Sequence, residues 1–257
     1  MTHSCALVSI RSSIVSFALV LSLLPAICSG QSTQALLVLG AGHFGSWTTE
    51  YVVANDQDTP LALGIAFQAN FQFPCPGPCQ GFLAVSVPAN GTLTVSQQVS
   101  SSFAHYLVGT QLPRVRARLL NSASPQLSVD LPVFRVATLR ALNPTSLVFP
   151  IRPEAIRTNL LLSNVIDLGQ AADQLGDMNV KVEVLDKEGG RLGTRTVVLP
   201  FDLEQFYIVD IGQFFGIPNP AEGQVRVTKL SGGGVMWGIL PSVNADGTIS
   251  ITLGEVP

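Results

Sequence analysis

The chain has 257 residues, of which 47% are hydrophobic and only 12% charged, and its formal net charge is −3. An average soluble domain is about 25% charged, so this surface must be built largely from Ser, Thr, Gln and Asn, a composition that suits β-rich proteins. Three lysines and a mildly acidic balance exclude a nucleic-acid binder, whose affinity rests on a cationic face.

Residues 1–30 read as a secretory signal peptide. Arg11 is their only basic residue, 14–27 is an apolar run broken by two serines and Pro25, and small residues follow at Cys28-Ser29-Gly30. The run is shorter than the roughly 20 apolar residues of a spanning helix, so no transmembrane anchor is expected beyond the leader. Cleavage after Gly30, with Cys28 as the alternative, places the mature chain outside the cell or in its periplasm or envelope; an uncleaved leader is the competing reading. The mature chain keeps Cys75 and Cys79 in a compartment where disulfides persist. Cys75-Pro76-Gly77-Pro78-Cys79 sets Pro and Gly at central turn positions, so the pair is expected to close as a disulfide clip on a hairpin tip. So short a loop would contribute only about 2 kcal/mol.

In chain order, 36–39 is a short strand followed by Gly40-Ala41-Gly42-His43-Phe44-Gly45, a textual match to G-x-G-x-x-G. A dinucleotide site needs a helix to begin at those glycines, and 46–53 is Trp, Thr, Tyr and Val, which favour a strand. No cofactor is therefore expected. Residues 61–73 form a long strand up to the clip, 82–87 returns from it, and 92–97 follows a turn at Pro88-Ala89-Asn90-Gly91. Residues 100–106 are expected as a helical turn. Residues 114–120 alternate, with Val115, Ala117 and Leu119 on one face and Arg114, Arg116 and Arg118 on the other. Strands at 126–134 and 136–142 complete a first unit, and Asn143-Pro144-Thr145-Ser146 marks the boundary.

The same order then recurs. Thr48–Asn55 reads Thr-Thr-Glu-Tyr-Val-Val-Ala-Asn, and 157–164 reads Arg-Thr-Asn-Leu-Leu-Leu-Ser-Asn, each a strand closed by a turn-forming Asn. Residues 147–150 match 36–39, Leu199-Pro200 matches Val87-Pro88, and 224–230 is matched to 114–120. Val180, Val182 and Val184 alternate with Lys181 and Glu183 as a half-buried strand that returns at 193–199. Residues 211–215 are expected as a helical turn, and 235–240 and 249–253 as the last strands. One duplication accounts for offsets that stay near the same value.

About seven short strands per unit, punctuated by turns, predict an all-β chain of two tandem antiparallel β-sandwich domains, at 31–145 and 146–257, after the leader. The pattern Gly-Ala-Gly-x-x-Gly-x-Trp-x-Thr-Glu-x-x-x-x-Asn in the first unit resembles the immunoglobulin-like repeats of secreted bacterial multi-module proteins. So does Arg-Thr-Asn-Leu-x-Leu-x-Asn in the second, with its later Val-x-Val-x-Val-Leu-Asp-x-x-Gly. The resemblance implies a fold and a location, not an activity.

Candidate sites are few. His43 and His105 are the only histidines after the leader, and neither G-x-S-x-G nor H-E-x-x-H occurs. Asp56 and Asp58, and Asp167, Asp173 and Asp177, offer oxygen atoms without any calcium-loop spacing, so no metal is expected. Arg114, Arg116 and Arg118 form a basic stripe that could dock an acidic glycan or partner, or could simply be the solvated face of a strand. Phe71, Phe73 and Phe82 flank the clip and make it the candidate partner-binding tip. The resulting expectation is a non-enzymatic secreted or envelope module pair with a structural or adhesive role, binding a protein or cell-envelope polysaccharide. A carbohydrate-binding module and a two-domain protein like the periplasmic pilus-assembly chaperones are the alternatives.

Overall fold

The computed structural model describes residues 34–66, 82–97, 104–124, 126–165, 176–199, 206–208, 210–218 and 222–257. They form four antiparallel sheets. Sheet I has the strand order β10 (Val133–Arg135), β1 (Gln34–Leu39), β7 (Ala104–Gly109), β4 (Leu61–Ala66), β5 (Phe82–Val87). Sheet II runs β2 (His43–Phe44), β3 (Trp47–Ala54), β8 (Arg114–Asn121), β9 (Ser128–Leu131), with β6 (Thr92–Gln97) also on β3. Sheet III runs β11 (Ser146–Ile151), β17 (Gly223–Ser231), β14 (Met178–Leu185), β15 (Arg191–Leu199). Sheet IV runs β12 (Ala155–Thr158), β18 (Val235–Asn244), β13 (Leu160–Val165), β16 (Phe206–Ile208), with β19 (Ile249–Leu253) on the other side of β18. Two short helices, α1 (Val136–Leu142) and α2 (Ile211–Phe215), complete the described elements.

Strand pairing in the first half recurs in the second. The path β1–β7–β4–β5 has its counterpart in β11–β17–β14–β15, and β6–β3–β8 in β16–β13–β18. On this pairing β17 stands where β7 stands, and β18 where β8 stands. The sequence match of 224–230 to 114–120 is therefore displaced by one strand: both segments alternate apolar and polar residues, and alternation alone does not say which neighbour a strand pairs with.

Burial explains how the sheets stack. In β1, Leu36 and Val38 enter a core shared with Tyr51 and Val53 of sheet II, while Leu37 and Leu39 enter a second core shared with α1 and with sheets III and IV. Strands β1, β7, β13 and β18 are thus covered on both faces and read as near-continuous apolar runs. Within β18, Ile239 lies beside Gly40 of the first half, whereas Gly238 lies under the Phe149 ring of sheet III. Sheet IV therefore lies between sheets I and III, and the layers follow the order II, I, IV, III. Phe134 meets Trp237 edge to face across the I–IV contact, with ring centroids 5.5 Å apart. Ile251 packs against both cores. Each fully buried Leu, Ile, Val or Phe contributes roughly 1.5–3 kcal/mol of transfer free energy.

Four local expectations change. Residues 136–142 are helix α1, not a strand: Val136 and Leu139 lie one helical turn apart and are both buried, and Asn143, left-handed at φ 35°, closes the helix by donating to Leu139 O. Residues 104–106 belong to strand β7, not to a helical turn, because a central strand buried on both faces lacks the alternation that reveals an exposed one; residues 100–103 lie outside the described residues. The expected strand 126–134 is divided by Pro132, which has no N–H for a ladder, into β9 in sheet II and β10 in sheet I. The expected strand 158–164 breaks at Asn159, whose N–H donates to Pro241 O and whose Oδ1 accepts from Asp210 N. The expected helical turn at 211–215 is present as α2, with Asp210 Oδ1 accepting from Gln213 N.

Candidate functional site

The repeated strand motif is built from its two polar ends. Thr49 is fully buried, and its Oγ1 accepts from Gly42 N at 2.6 Å and donates to Gly42 O at 2.9 Å, which ties the glycine loop to the strand. Asn55 closes the same strand: its Nδ2 donates to the carbonyls of Thr59, Val87 and Pro88, and its Oδ1 accepts from Gln57 N. In the second copy Thr158 and Asn164 are equally buried, but Thr158 Oγ1 and both amide atoms of Asn164 have no hydrogen-bond partner among the described residues. The segment that replaces the glycine loop, Arg152-Pro153-Glu154, supplies no counterpart of the Gly42 bonds to Thr158 Oγ1.

The arginine stripe lies on the outer face of sheet II, where alternation along β8 puts it. Arg114 pairs with Asp56 at 2.6 Å, Arg116 makes two bonds to Asp130 at 3.1 and 3.0 Å, and Arg118 stands 3.8 Å from the same carboxylate and directly across from Glu50. The hydrogen bond from Arg116 holds Asp130 below the usual carboxylate range, and bonds to Asp56 and Asp130 keep Arg114 and Arg116 more firmly protonated than usual. Three cations thus face three carboxylates, so the stripe is close to neutral. Exposed pairs of this kind stabilise little.

Of the three tip residues, Phe82 is the one among the described residues, and its backbone lies away from the stripe. Phe82 is the first residue of β5 and pairs with Ala66 at one end of sheet I, whereas Arg114 lies beside the Asn55 corner at the other end. Phe71, Phe73, Cys75 and Cys79 lie outside the described residues, as do Asp167, Asp173 and the leader. His43 sits half-buried at the start of β2, with Nδ1 3.1 Å from Thr48 Oγ1. His105 is fully buried on β7, and its Nδ1 is hydrogen-bonded to the Tyr51 hydroxyl of β3 across the first core. Burial pushes the Tyr51 phenol well above its ordinary value. The two histidines therefore occupy separate places.

Sequence reading missed two polar arrangements. One is the Tyr51–His105 bond, whose only signal is a histidine within the apolar run Ala104–Gly109. The other is on the outer face of sheet III, where Glu183, only 5% exposed, lies 3.0 Å from Lys181 Nζ and 3.5 Å from Arg191 Nε and directly across from Arg226. Charged residues in alternate positions of β14 signalled an outer face, but not that the carboxylate would be buried beneath its cationic neighbours. Among the described residues no group of three or more His, Cys, Asp or Glu is placed to hold a metal ion, and no helix is long and apolar enough to cross a membrane.

Fold and site together define an all-β protein of antiparallel sheets. Comparison of the chain with protein-family models, with curated proteins and with solved structures gives no match.

Proposed function

We propose that the protein is a secreted or envelope-resident, non-enzymatic module pair with a structural or adhesive role. It comprises two immunoglobulin-like β-sandwich units at 31–145 and 146–257, related by duplication. The recurrence of one strand-pairing order in both halves supports the duplication. The observation that carries the functional reading is the shared core: strands β1, β7, β13 and β18 are covered on both faces, so apolar side chains of the two halves pack together in one body. Such a body suits holding a binding feature at a fixed place. The connection between β4 and β5 is the feature that differs most between the halves. It occupies 67–81 in the first and only Asp186–Gly190 between β14 and β15 in the second.

The test is retention of the leaderless protein on an envelope extract and on a panel of immobilised polysaccharides, beside a variant with 67–81 replaced by the sequence of 186–190. Retention that disappears with the replacement supports an interaction module. A hydrolase screen in which turnover survives repurification and is abolished by one point substitution overturns the non-enzymatic reading.

A further inference from the structure

We propose that the outer edge of β15 is a strand-addition site for an extended protein segment that carries a carboxylate. Sheet III ends at β11 on one side and at β15 on the other. The chain seals the β11 edge itself: Glu255 N donates to Val148 O and Val148 N to Glu255 O, each at 2.9 Å. Among the described residues β15 is paired with β14 alone. Alternate residues of an antiparallel pair turn their N–H and C=O groups away from the neighbour, so the far side of β15 presents a row of main-chain donors and acceptors. At nine residues β15 is also longer than β5, β6 and β11, which end their sheets with six each.

The side chains of β15 define the strand that fits. Thr194, Thr196 and Val198 stand across from Glu183, Lys181 and Asn179 on the outer face, and Leu192 and Val198 are 42% and 47% exposed. They offer an added strand apolar contacts near both ends and hydroxyls between them. Arg195 faces the other way. It stands across from the buried Val182, and its guanidinium lies 4.7 Å from the centre of the Phe214 ring. Helix α2, which carries that ring, is Ile-Gly-Gln-Phe-Phe and brings no charge. Glu183 is the one carboxylate in the strands of sheet III, and it lies on the opposite face with Lys181 and Arg191.

This charge decides between occupants. An inward-pointing charge on an edge strand guards it against indiscriminate pairing. Two copies joined along the whole of β15 would set Arg195 directly opposite itself, and like charges so placed are destabilising, whereas a carboxylate there is favourable. Main-chain bonds would supply the affinity and Arg195 the selectivity, against a second copy and for an acidic strand. The site is separate from the 67–81 connection, so the two are tested independently.

The probe is a capped peptide of nine residues, matched to β15 in length, with Glu at its centre, Val near each end and Thr between. Hydrogen exchange of the full chain is measured with and without about millimolar peptide, a range suited to weak binding. The expected result is slowed exchange in β15 and none in β5, with binding roughly three- to tenfold tighter than that of the same peptide with a central Lys. Arg195→Glu should reverse the preference; if that variant does not fold, the two peptides on the wild-type chain decide. Exchange in β15 that ignores the peptide, equal binding of the Glu and Lys peptides, or an unchanged preference in folded R195E overturns the proposal. So does slowing of β15 exchange on raising the chain's own concentration without peptide, which would assign the edge to a second copy.

Discussion

The two copies of the strand motif make opposite predictions for the same substitution. Thr→Val keeps side-chain shape and removes only the hydroxyl. At Thr49 that hydroxyl makes both bonds to Gly42, and Thr49 N separately donates to Gly42 O at 3.0 Å. Thr49→Val therefore leaves the buried Gly42 N–H without its acceptor, while Gly42 O keeps one donor. An unsatisfied buried donor costs about 1–3 kcal/mol, which for a chain of this size lowers Tm by roughly 2–12 °C. At Thr158 the hydroxyl is already buried without a partner among the described residues, so Thr158→Val removes a desolvation penalty and is neutral or stabilising by up to about 1–2 kcal/mol. Urea unfolding of both variants, with unchanged m values, gives the comparison. Equal destabilisation by the two substitutions would refute the reasoning, because it would mean that the glycine-loop contact is not what distinguishes the copies.

Other expectations follow from single positions. Gly234 has φ 72°, and a Cβ there would collide with the Asn164 side-chain oxygen, so Gly234→Ala should cost more than about 2 kcal/mol in thermal or urea unfolding. Ile251→Ala, at the residue that touches both cores, should cost about 1–3 kcal/mol and speed hydrogen exchange in β9 and β18 together. Burial raises Tyr51, so the folded chain holds that proton more tightly than the unfolded one. The corresponding stability is present below about pH 10 and falls as pH rises above it. Tyr51→Phe should remove one proton's share of that alkaline slope, measured by urea unfolding as a function of pH.

Much of the sheet content was legible because exposed strands alternate. The β8 arginines and the valines of β14 fall on the expected faces, and the Thr and Asn that end the repeated motif are buried, with Thr49 and Asn55 making the bonds that anchor it. What sequence could not show depends on long-range packing. Strand β7 is covered on both faces by partners distant in the chain, so its residues show no strand period and are not separable from a turn by local pattern. Helix α1 is held by two buried side chains at its inner face, which a seven-residue window cannot separate from a strand. The neutral state of the arginine stripe required Asp56 and Asp130 to arrive from other segments. The one sequence property that goes with the contact between halves is the low charge content, since a chain with so little charge has apolar surface to bury. That surface is Leu37, Leu39, Trp237 and Ile239.

The central claim is that the two halves act as one body through a shared core, and separation tests it most directly. Residues 31–145 and 146–257 are expressed apart, and each is measured for stability and association by urea unfolding and light scattering. The account predicts that each half alone is markedly less stable than the full chain or self-associates through its uncovered face, and that mixing restores an equimolar complex. Two halves that stay monomeric, ignore each other and match the full chain in stability would contradict it.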